Sequence, residues 1–246
     1  MSRAATLLFA IVAYAIFFAT FLYLIVFVGD LSFAKLTVDV GPEAAPTTAA
    51  IIDVGLIALF GLQHSVMARQ GFKRWWTRIV PPPAERSVYV LAASAMLIIL
   101  FLLWRPIDNV VWSVTSPIFA NLLWLVFWGG WLTVLTSTFL INHFELFGLQ
   151  QAWLNMRGRE PAAPTFHQPL LYKWVRHPLY LGFFLAFWAI PEMTAGHLLL
   201  AVGVSIYMLI AIRYEEHDLV NLFGKDYETY REQVGMLTPR FMRRRG

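Results

Sequence analysis

No cysteine occurs anywhere in the 246 residues. Disulfides, thiolate metal sites and a cysteine nucleophile are therefore excluded. Charge is scarce as well: Asp, Glu, Lys and Arg make up 14% of the chain, where soluble domains carry about a quarter. A water-facing surface cannot be covered with so little. Six histidines are present (His64, His143, His167, His177, His197 and His217), but the HExxH spacing of helical zinc hydrolases is missing, and no metal site is expected. No internal repeat relates the two halves of the chain, as it does in many transporters.

What fills the chain instead is apolar, with 59% hydrophobic residues and a mean hydropathy of +0.61. One helical span takes about 20 apolar residues. Runs at 7–28, 48–68, 88–104 and 118–141 meet or approach that length. The sequence reads as an all-α integral membrane bundle of five to six transmembrane segments. It forms a single domain over 1–246, with a four-helix membrane part at 1–141 and a second module at 142–246. The first run is too long for a typical signal-peptide core and lacks a clear small-residue cleavage site, so a retained helix is expected. Beyond a polar segment at 142–176 lie two shorter apolar pieces, 179–190 and 198–212, separated by Pro191-Glu192 and Gly196-His197. A short helical hairpin that enters and returns fits them. An amphipathic tail from Arg213 follows and ends in Arg243, Arg244 and Arg245.

The basic residues suggest the orientation. Arg69, Lys73, Arg74, Arg78 and Arg86 follow the second run, whereas the loop after the first carries Asp30, Asp39 and Glu43 against Lys35. The net charge of +4 thus reports topology rather than a nucleic-acid partner. The positive-inside rule assigns the basic loops to the cytoplasm, and a two-pass hairpin leaves both termini there, in a multi-pass protein of the cytoplasmic membrane.

Most of the remaining polar residues gather at those cytoplasmic helix ends. His64 closes the second run; Asn142, His143 and Glu145 follow the fourth. Arg176 and His177 precede the hairpin, and Arg213, Tyr214, Glu215, Glu216 and His217 follow it. A pocket there would take a polar cofactor from the cytosol and an apolar substrate from the lipid. Pro178 suits a first helical position, because its missing N–H would be unpaired there in any case. The free N–H groups next to Arg176 make an anion site. Anchoring of Arg and Tyr at the membrane interface is the competing reading of the same residues.

Taken together, these motifs are more specific. Arg176-His177-Pro178-Leu179-Tyr180-Leu181-Gly182, the apolar hairpin, Glu215-Glu216 with Leu219, Phe223-Gly224 with Tyr227 and Tyr230, and Pro239-Arg240 resemble the C-terminal module of isoprenylcysteine carboxyl methyltransferases and related membrane phospholipid methyltransferases. This resemblance covers about residues 172–240. It implies binding of S-adenosylmethionine, released as S-adenosylhomocysteine, with Tyr172, Arg176, His177, Tyr180, Gly182, Glu215 and Glu216 as cofactor-site candidates. Further motifs, Gly61-Leu62-Gln63-His64-Ser65-Val66-Met67-Ala68-Arg69, Lys73-Arg74-Trp75-Trp76, Glu85-Arg86-Ser87-Val88-Tyr89 and Asn142-His143-Phe144-Glu145-Leu146-Phe147-Gly148, look like the membrane-bound methanethiol S-methyltransferases. They extend the resemblance over most of the chain and imply methylation of methanethiol to dimethyl sulfide. Gln63-His64-Ser65 also occurs in NnrU-like membrane proteins, including a haem-binding isomerase, so a haem site using His64 and His143 is an alternative. Methyl transfer to another thiol, a prenylcysteine or a lipid is a further one.

Methyl transfer from a sulfonium to a thiol makes three demands. The cation must be held by aromatic faces or carboxylates, which Tyr180, Tyr214, Glu215 and Glu216 could supply. Donor and acceptor must be aligned, an effect worth about 7–11 kcal/mol in favourable cases. The thiol must lose its proton, because the thiolate is the nucleophile. Histidine titrates in the right range for a base, which selects His64 and His143; Arg86 or Arg213 would instead favour the thiolate by proximity. The expected partners are a small thiol and membrane lipid, with no obligatory protein partner. Asp53, inside the second run, has no assigned role at this level.

Overall fold

The computed structural model describes residues 1–240; the arginine triplet that ends the tail lies outside the described residues. In chain order the elements are helices α1 (Arg3–Val28), α2 (Pro46–Ala68), α3 (Gln70–Trp76) and α4 (Pro82–Leu103), and strand β1 (Val110–Ser113). Helices α5 (Pro117–Ile141), α6 (His143–Leu146) and α7 (Leu149–Met156) follow, then a 3-10 turn (Leu170–Lys173) and α8 (Pro178–Trp188). Strand β2 (Glu192–Thr194), α9 (Ala195–Phe223) and α10 (Lys225–Gln233) complete the described chain. Helices α1, α2, α4, α5 and α9 are long and apolar enough to cross a membrane. Proline opens α2, α4, α5 and α8, so the reason for expecting a helix start at Pro178 applies four times over.

The hairpin differs from the expected pair of short arms. Its first arm, α8, has 11 residues and reaches about 17 Å, little more than half of a hydrocarbon core about 30 Å thick. The extended residues 189–194 complete the passage, and β2 pairs antiparallel with β1. Its second arm, α9, has 29 residues and takes in the first part of the expected tail. Nothing between Arg213 and Phe223 breaks a helix; the stop comes at Gly224, whose φ of 56° suits glycine. A fall in hydropathy marks where a helix leaves lipid, not where it ends.

Helix α4 lies between α1 and α2, α2 also packs on α9, and α5 crosses α8. Phe27, Leu100, Trp104, Phe127, Trp131 and Leu200 meet in the common core. The α5–α8 crossing is a backbone contact. A Cβ added to Gly182 would stand 2.7 Å from the Gly130 carbonyl oxygen and 2.8 Å from the Val134 nitrogen. Small residues allow this closeness inside a membrane bundle. Gly182, a cofactor-site candidate on sequence, is therefore occupied by helix α5 rather than left open to a ligand.

One end of the bundle is tied by hydrogen bonds between loops. The Trp104 indole N–H donates to the Val38 carbonyl (2.9 Å) and the Tyr23 hydroxyl to the Leu36 carbonyl (2.8 Å). The buried Asp53 accepts the Arg105 backbone N–H (3.0 Å), which gives this carboxylate a structural role just past α4. The Thr194 hydroxyl donates to Asp39 (2.5 Å) while accepting the His197 N–H (3.0 Å), so it caps α9 and holds the hairpin turn to the α1–α2 loop. Of the described basic residues only Lys35 and Arg105 belong to this end. The others lie at the opposite end with α3, α6, α7 and α10.

Two consequences are measurable. Gly182→Ala forces the crossing helices apart, at a cost of about 1–3 kcal/mol, and should lower the Tm of the detergent-solubilised protein. Gly129→Ala, where an added Cβ meets nothing within 4 Å, should not. Burial pushes the pKa of Asp39 from 3.8 up to about 6, with repulsion from Asp30, Asp108 and Glu192 adding to it and the Thr194 hydrogen bond opposing. A raised folded-state value means that the stabilisation is complete below about pH 4 and is lost as pH rises through about 6. Melting curves of Asp39→Asn should match the parent at pH 4 and exceed it at pH 7.

Candidate active site

The two ends of the hairpin touch. Oε1 of Glu216, on α9, accepts from Nε and Nη2 of Arg176 (both 2.8 Å) and lies 3.0 Å from Nε2 of His177, at the entrance to α8. The remaining guanidinium nitrogen, Nη1, donates to the carbonyls of Arg231 and Val234. Backbone bonds from Arg176 N to Gly235 O (2.8 Å) and from His177 N to Met236 O (3.1 Å) join the chain beyond α10 to the same segment. Beneath them, Tyr227, Tyr230 and Val234 form a small separate core with Phe166 and Phe223, and the Tyr230 hydroxyl donates to the Tyr172 carbonyl (2.6 Å). The donors of Arg176 are thus spent on protein, and Glu216 serves as a clamp.

The neighbouring carboxylate is placed differently. Glu215 is exposed and forms no ion pair among the described residues. The Tyr180 hydroxyl is near it, as are Tyr172 and Tyr207. From there the polar residues continue toward α2 and α4. Tyr207 lies beside Ser65, and the Tyr89 hydroxyl lies 2.7 Å from Nε2 of His64. Phe60 stacks on the His64 ring at 5.3 Å and Tyr207 meets its edge at 6.2 Å. Arg69 lies over the Tyr214 ring at 4.1 Å. Half-buried Lys73 faces Arg86, Glu85 and Asp218, and its pKa is lowered by burial and by Arg86. Arg213 is exposed and stands outside this constellation.

His143 has no free nitrogen. The Thr138 hydroxyl donates to the Leu135 carbonyl (2.7 Å), so its oxygen accepts from Nδ1 of His143 (2.9 Å). Nε2 is then bare and takes the Tyr14 hydroxyl (2.7 Å). Phe139 stacks on the ring at 4.2 Å, and burial lowers the pKa. This neutral imidazole fastens α1 to α5 and is not set up to receive a proton. Two of the sequence motifs also meet in a joint. Nε of Arg86 donates to the Leu146 carbonyl (2.7 Å), and Gly148, with φ 89°, rests against Ser87, where a Cβ would stand 2.6 Å from its hydroxyl oxygen.

Tyr89 and Tyr207 had no role on sequence. Tyr207 sits inside an apolar run, where a tyrosine reads as packing. Its signal was its spacing: seven and eight residues before Tyr214 and Glu215, two helical turns along one face.

The chain is 51% identical to the methanethiol S-methyltransferase of Mycobacterium tuberculosis (strain ATCC 25618 / H37Rv), over 97% of its own length and 98% of that protein. It belongs to the methanethiol S-methyltransferase family. It is also 53% identical to methanethiol S-methyltransferase 1 of Bradyrhizobium diazoefficiens, over 94% of its length and 81% of that relative. The nurim of Xenopus laevis is more distant, at 30% identity over 70% of this chain and 62% of that protein. No protein-family model matches the chain, and no solved structure does. In this member of the methanethiol S-methyltransferases, every one of the full-chain motifs maps to the end of the bundle that carries the hairpin clamp.

The clamp can be tested by stability alone. With side chains only 8% and 13% exposed, Arg176 and Glu216 form a buried pair, and removing one partner of such a pair costs about 3–5 kcal/mol. Glu216→Ala should lower the Tm by several degrees, while exposed His217→Ala should leave it unchanged.

Proposed function

We propose that this chain transfers a methyl group from S-adenosylmethionine to methanethiol, giving dimethyl sulfide, at the cytoplasmic face of a membrane. Membership of the family supports the reaction. The observation that carries the donor assignment is the open carboxylate of Glu215, held among tyrosines where the two hairpin ends are pinned. S-adenosylmethionine supplies a methyl carried on a positively charged sulfonium. A carboxylate without an ion-pair partner among the described residues, bordered by Tyr172 and Tyr180, suits such a cation. Arg69 and Lys73, at the same end, suit the carboxylate of its amino-acid part.

Each residue contributes a separate function in this reading. Glu215 and Tyr180 bind and orient the donor. Glu216, Arg176 and His177 hold the wall on which Glu215 and Tyr180 stand, so their effect on the donor is indirect. The concentration of basic residues at this end supports a cytoplasmic placement under the positive-inside rule, with both termini on that side.

Membranes containing the protein, supplied with methanethiol and S-adenosylmethionine, should release dimethyl sulfide measurable by headspace gas chromatography. None above a vector control would sink the reading. Glu215→Gln should raise the donor KM roughly tenfold, as expected for loss of one charge-assisted contact, with an unchanged Tm.

A further inference from the structure

We infer that Tyr89 positions His64 as the base that removes the proton from the acceptor thiol. The inference rests on the methyl-transfer reading above and goes beyond it, because it concerns the acceptor rather than the donor.

The other buried histidines make the case by contrast: His177 is committed to Glu216 through Nε2 at 3.0 Å. His143 has both nitrogens bonded. His197 is fully buried at the far end of the bundle, with Nε2 on the Phe187 carbonyl at 3.1 Å. His64 is half-buried at the end where the hairpin closes. Its Nε2 is hydrogen-bonded to Tyr89, and its Nδ1 is shielded from solvent with no partner among the described residues. Nδ1 of His197 is unmet too, but no donor-site residue lies near it.

Neutral imidazole carries one proton. On Nδ1 it would be a buried N–H with no acceptor among the described residues, whereas on Nε2 the unmet donor is the Tyr89 hydroxyl, which can turn toward a ligand. Placing it on Nε2 makes that nitrogen the donor to the Tyr89 oxygen, leaves a bare Nδ1, and leaves the phenol's own proton for a bound ligand. Nδ1 faces away from Tyr89 across the ring, so its bare lone pair is the valence of His64 left for a bound ligand. The environment is fixed from several sides. Phe60 holds the ring by stacking, Tyr207 by its edge, and Arg86, one turn before Tyr89, has its guanidinium 5.0 Å from the Tyr89 ring centroid while tethered to Leu146. Aromatic rings of this kind suit a small apolar acceptor.

In the step itself the S–H bond breaks and its proton moves to Nδ1 of His64. The resulting imidazolium keeps its Nε2–H on the Tyr89 oxygen. The thiolate sulfur forms a bond to the methyl carbon as that carbon's bond to the donor sulfonium breaks, and the bonding pair stays with the donor sulfur. Two neutral thioethers result, and His64 later passes its proton to water. Tyr89 is a positioning residue here: it fixes which nitrogen is bare and stabilises the charged ring.

The test compares two acceptors. A selenol is more acidic than a thiol and is already ionised at neutral pH, so methylselenol needs no base. Tyr89→Phe and His64→Gln should each lower kcat for methanethiol at pH 7 by roughly 10²-fold, the lower range for general base catalysis. The rate should climb with pH as the free thiol ionises. With methylselenol both variants should keep most of the parent rate. Equal losses on the two acceptors, or a pH profile unchanged in shape, would overturn the inference. If the parent makes no dimethyl sulfide, the methyl-transfer reading fails first and takes this one with it. Nitrogen-15 NMR of the parent protein tests the tautomer without turnover. The resonances lost in His64→Gln should show a protonated Nε2 and a bare Nδ1, and the reverse would overturn the assignment.

Discussion

A single carboxylate oxygen, Oε1 of Glu216, fixes the geometry of the polar end of this protein. It is shared by Arg176 and His177, which stand 40 and 39 residues away in the chain. A charge placed near lipid is costly unless paired, so this contact binds the two arms of the hairpin wherever they enter the bilayer boundary. Once it is made, the next residue along the helix, Glu215, is forced onto a different face and cannot reach the same partners. The adjacent carboxylates therefore divide the work: one closes the structure and the other remains open.

The rest of the bundle keeps that contact in register. At its middle, Gly130 and Gly182 bring the α5 and α8 backbones together, so α8 has little freedom to slide. At its far end, the Asp39–Thr194–His197 bonds hold the hairpin turn. The short first arm is thus fixed along its whole length, although it is too short to cross a membrane as a helix. Its position is set by the helices around it and by the extended residues that complete its path.

Polar groups within the apolar bundle fall into two kinds. Some are closed: His143 lies between Tyr14 and Thr138, and Glu216 between Arg176 and His177. These satisfy their own desolvation and fasten helices together. Near the clamp, His64 and the Tyr227 hydroxyl keep buried capacity, and Glu215 keeps an exposed carboxylate. In a low-dielectric interior an unmet polar group is expensive, which sets the buried Nδ1 of His64 apart from the solvated carboxylate of Glu215.

The helical spans, their approximate ends and the gathering of polar residues at one face were legible in the sequence, because lipid imposes a length and a composition on any segment that crosses it. The extent of α9 was not, since its charged final turns resemble a separate tail in hydropathy and differ only in lacking a breaker. Which member of each polar pair is free was also hidden. His64 and His143 look alike in sequence, as do Glu215 and Glu216, and only the neighbours brought by other helices distinguish them. The sequence by itself determined a membrane bundle with its chemistry at one end, through local composition and periodicity. The tertiary structure decided which of those residues are spent and which remain available, because hydrogen-bond partners dozens of residues apart meet only when the helices pack.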